Sequence, residues 1–481
     1  SKLISFPILT WMVRMRIILL ALLALLYITG CGGGSSSSSG NGDAAAVNAG
    51  SNGESSGDVC SDIETLSSGN YDSVIAKWKT LDQIERRGAA RMIAVGSSSI
   101  RYWRSLFPNF SEWDIIQRGF GGSLIWDSAQ HFQSLITDHD PSVVLVFAGT
   151  NDVARERTAE QTINGVKCLI KRLESVNPEL PIIYIAITPT PARWNIWDKS
   201  NAVNLEIEKL ASEKSNLFFM KTAPEFLETG EPPSSDLFWS DGLHLSDKGY
   251  AIWNDILAET LTEVNTSPPT LEESTFRSGD SIFMDFGPSN AEDGEQSEPQ
   301  EDGAFWNNWH NINGEETIYP GEHLSNLMNQ DGESTSVRLI TRSDMSTNGK
   351  LNGGLMSPRE DNLGELAVSS ATVDYLFGYK LPGAITINGL RPDAKYSLKI
   401  FSSRADSEER ITRFYIPQGN ETIFKDIQTS GLADTVSGGN EKNLLEFQDV
   451  TADKGGAIHL DMVPIKGDFT YLNAFVLTRD D

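Results

Sequence analysis

Five short apolar runs, each separated from the next by helical periodicity, constrain this chain more than any other feature. Met92–Val95 ends at Gly96, Ile115-Ile116 leads to a glycine cluster, Val143–Phe147 to Gly149, Ile182–Ile187 to Thr188-Pro189, and Leu217–Met220 is the fifth. Tyr71, Val74, Ile75, Trp78, Leu81 and Ile84 recur at helical spacing ahead of the first run. Helical stretches Ala159–Val176 and Asn201–Lys214 lie between later runs, and Tyr250, Trp253, Ile256, Leu257 and Leu261 form a closing amphipathic helix. Strands that short and that uniformly apolar are covered on both faces, so residues 69–265 are predicted to form a parallel sheet between two helical layers.

The pattern changes after a Pro-, Glu- and Ser-containing stretch, 266–280, which reads as a linker. From 281 to 481 the segments Ser281–Phe286, Ala384–Ile387, Tyr396–Phe401, Arg413–Ile416, Ala457–Met462 and Leu472–Leu477 are short, partly alternating and bounded by turn residues. They predict an all-β sandwich. The acidic insert Ala291–Gly303 reads as a surface loop.

The formal net charge of −27 argues against nucleic acid as a partner, because phosphate contacts need a basic face. At the start of the chain, Arg14 and Arg16 precede the apolar run Ile17–Ile28 and then Thr29-Gly30-Cys31, the layout of a secretory signal peptide over residues 1–30, with Met12 and Met15 as candidate starts. Ile28-Thr29-Gly30-Cys31 resembles a bacterial lipobox. That resemblance implies a lipidated Cys31 anchoring the chain to a membrane, in the cell envelope or on the outer surface. Residues 31–68 begin with three glycines and five serines and read as a tether. Cys60 and Cys168 are the other cysteines; they can form one disulfide or stand as two separate thiols. Neither has the clustered partners of a zinc site, and no metal or cofactor is expected.

Four polar blocks follow predicted strands and can therefore converge on the carboxyl edge of the sheet, where ligands bind in open α/β folds. The first is Gly96-Ser97-Ser98-Ser99-Ile100, a serine between strand and helix. The second is Arg118-Gly119-Phe120-Gly121-Gly122-Ser123, whose glycines let a backbone N–H approach a reacting oxygen. The third is Gly149-Thr150-Asn151-Asp152, in which Asn151 offers an uncharged side-chain N–H. The fourth is Ser240-Asp241-Gly242-Leu243-His244, an acid close enough to fix one imidazole nitrogen and leave the other as a base. Each has a plainer reading alone, as a helix cap or a turn. His139 precedes the third strand and His131 lies in a helical stretch, so both are poorer bases.

In this order the four blocks resemble blocks I, II, III and V of the SGNH (GDSL-like) hydrolase superfamily, over roughly residues 69–265. Ala94–Trp103, Gly119–Gly122 and Pro189-Thr190-Pro191-Ala192-Arg193-Trp194 are similar to a bacterial subgroup with Gly-Ser-Ser-Ser-Ile-Arg in block I. The resemblance implies a flavodoxin-like three-layer domain, here followed by a jelly-roll-like sandwich. It implies Ser98 as nucleophile, His244 as base, Asp241 as its orienting partner, and Ser98, Gly122 and Asn151 as oxyanion donors. Ser97 and Gln117 depart from the usual Asp and Asn of blocks I and II, and Ser99 is the competing nucleophile. A classical α/β-hydrolase fits less well, since position 100 is Ile where its elbow needs Gly.

Short spacings leave little room for a lid, so a shallow crevice suited to small acyl groups on bulky alcohols is expected. Trp126, Trp194, Trp197 and Trp239 follow the catalytic blocks and can stack on sugar rings or pack into the core. Trp306-Asn307-Asn308-Trp309 leaves the same choice in the second half, which resembles sandwich modules attached to polysaccharide-active enzymes. The expected function is O-deacetylation of a polysaccharide or oligosaccharide. The alternatives are a lipid-directed esterase, lysophospholipase or thioesterase, and, in another class, a surface carbohydrate-binding lipoprotein with a secondary hydrolase domain.

Overall fold

The protein is described from a computed structural model covering residues 58–84, 91–288, 297, 303–310, 317–350, 353–419 and 421–481. Residues 1–30, read as a signal peptide, and Cys31 lie outside the described residues, as do 32–57 of the stretch read as a tether. Residues 58–68 of that stretch are not tether: a short helix, Ile63–Leu66, buries Ile63 and Leu66 in the core of the first half. The principal elements of the first half are α1 (Asp72–Ile84), β1 (Arg91–Gly96), α2 (Ser98–Arg101), β2 (Asp114–Gly119), α3 (Ile125–Gln130), β3 (Pro141–Phe147), α4 (Thr150–Ala154), α5 (Ala159–Val176), β4 (Ile182–Ile185), α6 (Trp197–Glu213), β5 (Leu217–Met220) and α7 (Asp247–Glu263). The five strands pair in parallel in the order β2-β1-β3-β4-β5, the flavodoxin-like order.

Strand alternation sorts the apolar residues onto two faces. Ile93, Val95, Val144, Val146, Ile182 and Tyr184 meet α1, α3, α5 and α6 in one buried cluster. Met92, Ala94, Val143, Leu145, Ile183 and Ile185 meet Ile100, Trp103 and the Tyr250, Trp253 and Leu257 face of α7 in another. Helix α5 has the extent expected from its periodicity and begins at a reciprocal capping box, Thr158 with Gln161. The cysteines are joined: Cys60 and Cys168 form a disulfide that ties the segment before α1 to α5.

The second half contains β6 (Ser281–Gly287), β7 (Trp306–His310), β8 (Thr317–Ile318), β9 (His323–Leu324), β10 (Arg338–Thr341), β11 (Met345–Asn348), β12 (Tyr375–Tyr379), β13 (Gly383–Asn388), β14 (Lys395–Phe401), β15 (Arg410–Gln418), β16 (Glu421–Ser430), β17 (Leu445–Thr451), β18 (Ala457–Lys466), β19 (Phe469–Leu472) and β20 (Ala474–Arg479). A six-stranded sheet, β16-β15-β18-β13-β10-β9, and a five-stranded sheet, β17-β14-β20-β6-β7, supply the inward residues of one large apolar core. A smaller sheet, β19-β12-β11-β8, adjoins them.

Several expectations change here. The segment Leu472–Leu477 is two strands in different sheets, parted at Asn473. That buried side chain donates to the carbonyls of Thr372 and Asp374 and accepts from the Ser403 N–H, so it repairs the ladder where the chain switches sheets. Phe276, within the stretch read as a linker, is buried in the sandwich core, and Ser274 bonds Ser336 and the Gly389 carbonyl. Within the acidic insert read as a surface loop, the described Ser297 is buried, its N–H held by Asp285 and Asn308. Trp306 and Trp309 are buried packing residues, so neither presents a face to a sugar.

Residues 57–481 form one compact unit. Lys77 of α1 pairs with Glu322 at 2.7 Å, with the two side chains 1% and 3% exposed. Asp114 at the start of β2 accepts from both Arg91 and Arg338. Arg101 forks onto Asp344 at 2.9 and 2.8 Å, and Tyr319 covers that guanidinium at 4.3 Å. Ile340 of β10 completes the apolar cluster around Trp103.

Candidate active site

The sheet register brings the polar blocks to one level. Gly96 pairs with Gly119 on one side and with Phe147 on the other, so the loops after β1, β2 and β3 leave the sheet side by side. The loop after β1 turns at once into α2, whose first residue is Ser98. Helix α2 lies so close to β2 that a Cβ at Gly119 would sit 2.1 Å from the Arg101 backbone nitrogen. Gln117 donates to the carbonyl of Ile100 at 2.5 Å, and the Tyr250 hydroxyl donates to that of Ser99 at 2.8 Å. Gln117 therefore anchors the short helix that carries Ser98, a sufficient reason for a long amide side chain at that position.

The Ser98 hydroxyl donates to His244 Nε2 at 3.0 Å. His244 Nδ1 donates to Asp241 Oδ2 at 2.6 Å, while Asp241 Oδ1 accepts from the N–H groups of Leu243 and His244. The carboxylate only accepts, so Nδ1 carries the ring proton and Nε2 is left basic toward the hydroxyl. Burial works against the Asp241 carboxylate, but those hydrogen bonds outweigh it and hold its pKa below the ordinary value. The loop is closed on itself by Trp239 N–H to His244 O and Gly242 N–H to Trp239 O. The rings of Tyr102 and Trp239 pack on the imidazole, centroids 5.1 and 5.4 Å away. Of the three adjacent serines, Ser98 is the one whose hydroxyl reaches the base. His139 is buried near Asp82 and Ser134, ahead of β3, away from this edge.

Gly122 turns with φ +77°, a conformation that favours glycine. Among the described residues no acceptor engages the backbone N–H of Ser98 or of Gly122. Asn151 is buried; its Nδ2 donates to the Ser123 carbonyl at 3.0 Å, which leaves its second amide hydrogen available. Its Oδ1 accepts from Arg193 Nη2 at 2.9 Å, and Arg193 Nη1 reaches Thr150 Oγ1 at 2.8 Å. Next door, burial pushes the Asp152 carboxyl up to about 7, although the Ile125 N–H stabilises its charged form.

A serine hydroxyl bonded to an oriented imidazole, beside unoccupied N–H donors, is chemically equipped to attack a carbonyl and to hold the resulting oxyanion. Residues 72–252 match the model of the GDSL-like Lipase/Acylhydrolase family. All the residues of this arrangement lie inside that matched segment. The chain is 27% identical over 155 residues to the platelet-activating factor acetylhydrolase IB subunit alpha1 of Rattus norvegicus, 31% of this chain and 62% of that protein. It thus spans less than two thirds of that relative's length. Solved structures similar to it include a carbohydrate esterase family 3 protein from Talaromyces cellulolyticus (19% identical, TM-score 0.32, covering 36% of this chain and 97% of that one). A family 3 carbohydrate esterase from Clostridium thermocellum is likewise 19% identical, with TM-score 0.31, covering 37% and 96%.

Trp126, expected as a sugar platform, is fully buried at 0% exposure inside α3, against Gly165 of α5, and cannot touch a substrate. The helix is buried from Ile125 to Ala129, so it offers Trp126 no outward face. Trp239 is half-buried beside His244, and Trp194 is half-buried and stacked on Trp197 with centroids 6.4 Å apart. Arg193, Arg155, Tyr102 and Gln117 were not singled out as functional residues. Arg193 had a legible signal, since it lies in the loop after β4 and so belongs to the same edge. Among the described residues no group of three or more His, Cys, Asp or Glu could hold a metal ion.

Proposed function

We propose that the protein is a serine ester hydrolase with Ser98 as nucleophile, His244 as general base and Asp241 as the group that orients it. The observation that carries this reading is the continuous chain of hydrogen bonds from Ser98 Oγ through the imidazole to Asp241. His244 removes the hydroxyl proton as Oγ attacks the ester carbonyl. The N–H groups of Ser98 and Gly122 and the Asn151 amide receive the oxyanion. His244 then protonates the departing alcohol, and water releases the acid from the acyl-enzyme by the same steps.

The acyl group we favour is acetyl and the alcohol a carbohydrate. The acetylhydrolase names of the curated relatives support the first. The half-buried Trp194–Trp197 stack beside Arg193 supports the second, because aromatic faces pair with apolar sugar faces. We also place the chain outside the cytoplasm, anchored through a lipidated Cys31. The Cys60–Cys168 disulfide supports an oxidising compartment. Cys31→Ser should release the protein from the membrane fraction.

The test of the activity is a p-nitrophenyl ester series of increasing chain length, run beside acetate release from acetylated xylan and pectin. A preference for two-carbon esters with polysaccharide deacetylation is expected, and Ser98→Ala should abolish both. A preference for long chains would favour a lipid-directed esterase. Turnover near the wild-type rate by Ser98→Ala would overturn the mechanism.

A further inference from the structure

The esterase reading leaves two arginines at the crevice unexplained. Arg155 follows α4 and donates to the Gly122 carbonyl at 3.1 Å. Arg193 follows β4 and forks onto Thr150 and Asn151. One guanidinium thus stands behind each of two oxyanion donors. Neither has a carboxylate within ion-pair distance among the described residues, in a chain whose 66 acidic residues outnumber its 39 Lys and Arg. Arg193 is half-buried, and both its burial and the like charge of Arg155 work against its protonated form. Arg155 is exposed and solvated, Arg193 half-buried, and no acidic side chain balances either, so an anion bound between them would meet two guanidinium donors.

The oxyanion does not account for them. It already has N–H donors, and each arginine contacts the oxygen end of those groups, so its charge lies beyond the reacting carbonyl. A second, permanent anionic group a few ångströms from the ester fits the arrangement better. The Trp194–Trp197 stack follows Arg193 directly, and the Ala192 N–H bonds Gly242 O, which seats this loop against the one carrying His244. Two guanidiniums, an aromatic pair and the reactive serine therefore lie on loops that neighbour one another.

We infer that the substrate is an acetylated acidic glycan, and that Arg155 and Arg193 recognise the carboxylate of a uronate residue at or next to the acetylated sugar. The inference rests on the esterase reading and narrows it to one substrate class. Arg155 takes the exposed side of the carboxylate and Arg193 the enclosed side, while the tryptophan pair receives the apolar face of a sugar ring.

The experiment compares kcat/KM on O-acetylated oligogalacturonides with that on O-acetylated xylo-oligosaccharides, for wild type, Arg155→Gln and Arg155→Lys. Wild type is expected to favour the acidic oligomer. Arg155→Gln should lower the acidic-to-neutral ratio by about tenfold or more, through KM, as expected for one charge-assisted hydrogen bond. Arg155→Lys should restore part of the ratio, and raising the salt should erode it in wild type. An unchanged ratio in Arg155→Gln, equal losses on both oligomers, or a wild-type preference for the neutral one would overturn the inference. Calorimetry with Ser98→Ala and unacetylated oligogalacturonide separates this inference from the esterase reading. Binding without wild-type turnover of any ester would leave the recognition site standing and remove the chemistry. Turnover of neutral esters without binding of the acidic oligomer would do the reverse.

Discussion

Asp344→Ala tests whether the β-rich half holds the helix that carries Ser98 in place. Asp344 accepts two hydrogen bonds from Arg101, at 2.9 and 2.8 Å, and the two side chains are 21% and 18% exposed. Arg101 ends the four-residue helix that Ser98 begins. Burial raises the Asp344 carboxyl above its ordinary value in spite of Arg101, so desolvation takes back much of what the pair gains. Removing only the acid strands a four-fifths buried guanidinium. A fully buried pair broken in this way loses about 3–5 kcal/mol and an exposed one about 0–1, which places Asp344→Ala at about 2–3 kcal/mol. Urea denaturation at fixed pH reads that loss. The Tyr319 ring still covers the guanidinium, so kcat should fall by about tenfold, short of the roughly 10²-fold that a 1 Å misplacement costs. Arg101→Met with Asp344→Leu should recover most of the stability, because both charges leave together. A loss below about 0.5 kcal/mol in Asp344→Ala, or a double variant as unstable as the single one, would refute the reasoning.

Asn151→Ala removes one oxyanion donor and should lower kcat about 10²–10³-fold with a smaller change in KM, measured on p-nitrophenyl acetate. The Asp152 carboxyl, raised by burial from 3.8 to about 7, keeps its proton in the native state over a range where the unfolded chain has lost it. Its contribution to stability is therefore full below about pH 4 and declines as the pH rises toward 7, by up to about 4 kcal/mol. Asp152→Asn should flatten that decline in urea midpoints taken at pH 4.5 and 7.5; an unchanged slope would refute the assignment. Replacing both Cys60 and Cys168 by Ser opens a cross-link spanning 108 residues and should cost about 2–5 kcal/mol by the same denaturation assay.

The parallel sheet was legible because its strands are buried on both faces and read as unbroken apolar runs between amphipathic helices. The hydrogen-bonded chain Ser98–His244–Asp241 was legible because Asp241 and His244 are three residues apart and Ser98 follows a strand. What stayed hidden depends on contacts between distant segments. Nothing near Gln117 announces that its amide anchors Ile100, and nothing near Arg193 shows that its fork ends on Asn151. Trp126 and Trp239 look alike in sequence, each beside a polar block, yet one is buried against α5 and the other packs on the imidazole. The β-rich half was legible in kind but not in detail, since short strands that switch sheets, as at Asn473, carry no local mark of which sheet they join.

Ile340 is rooted in β10, but its side chain closes the apolar cluster centred on Trp103 and Trp253. A residue that belongs to one half by chain order and to the other by packing ties their fates on heating. Calorimetry should record a single endotherm for residues 57–481. A chimera that exchanges the C-terminal half with a distant homologue would inherit a void beside Trp103 unless a side chain of similar bulk came with it.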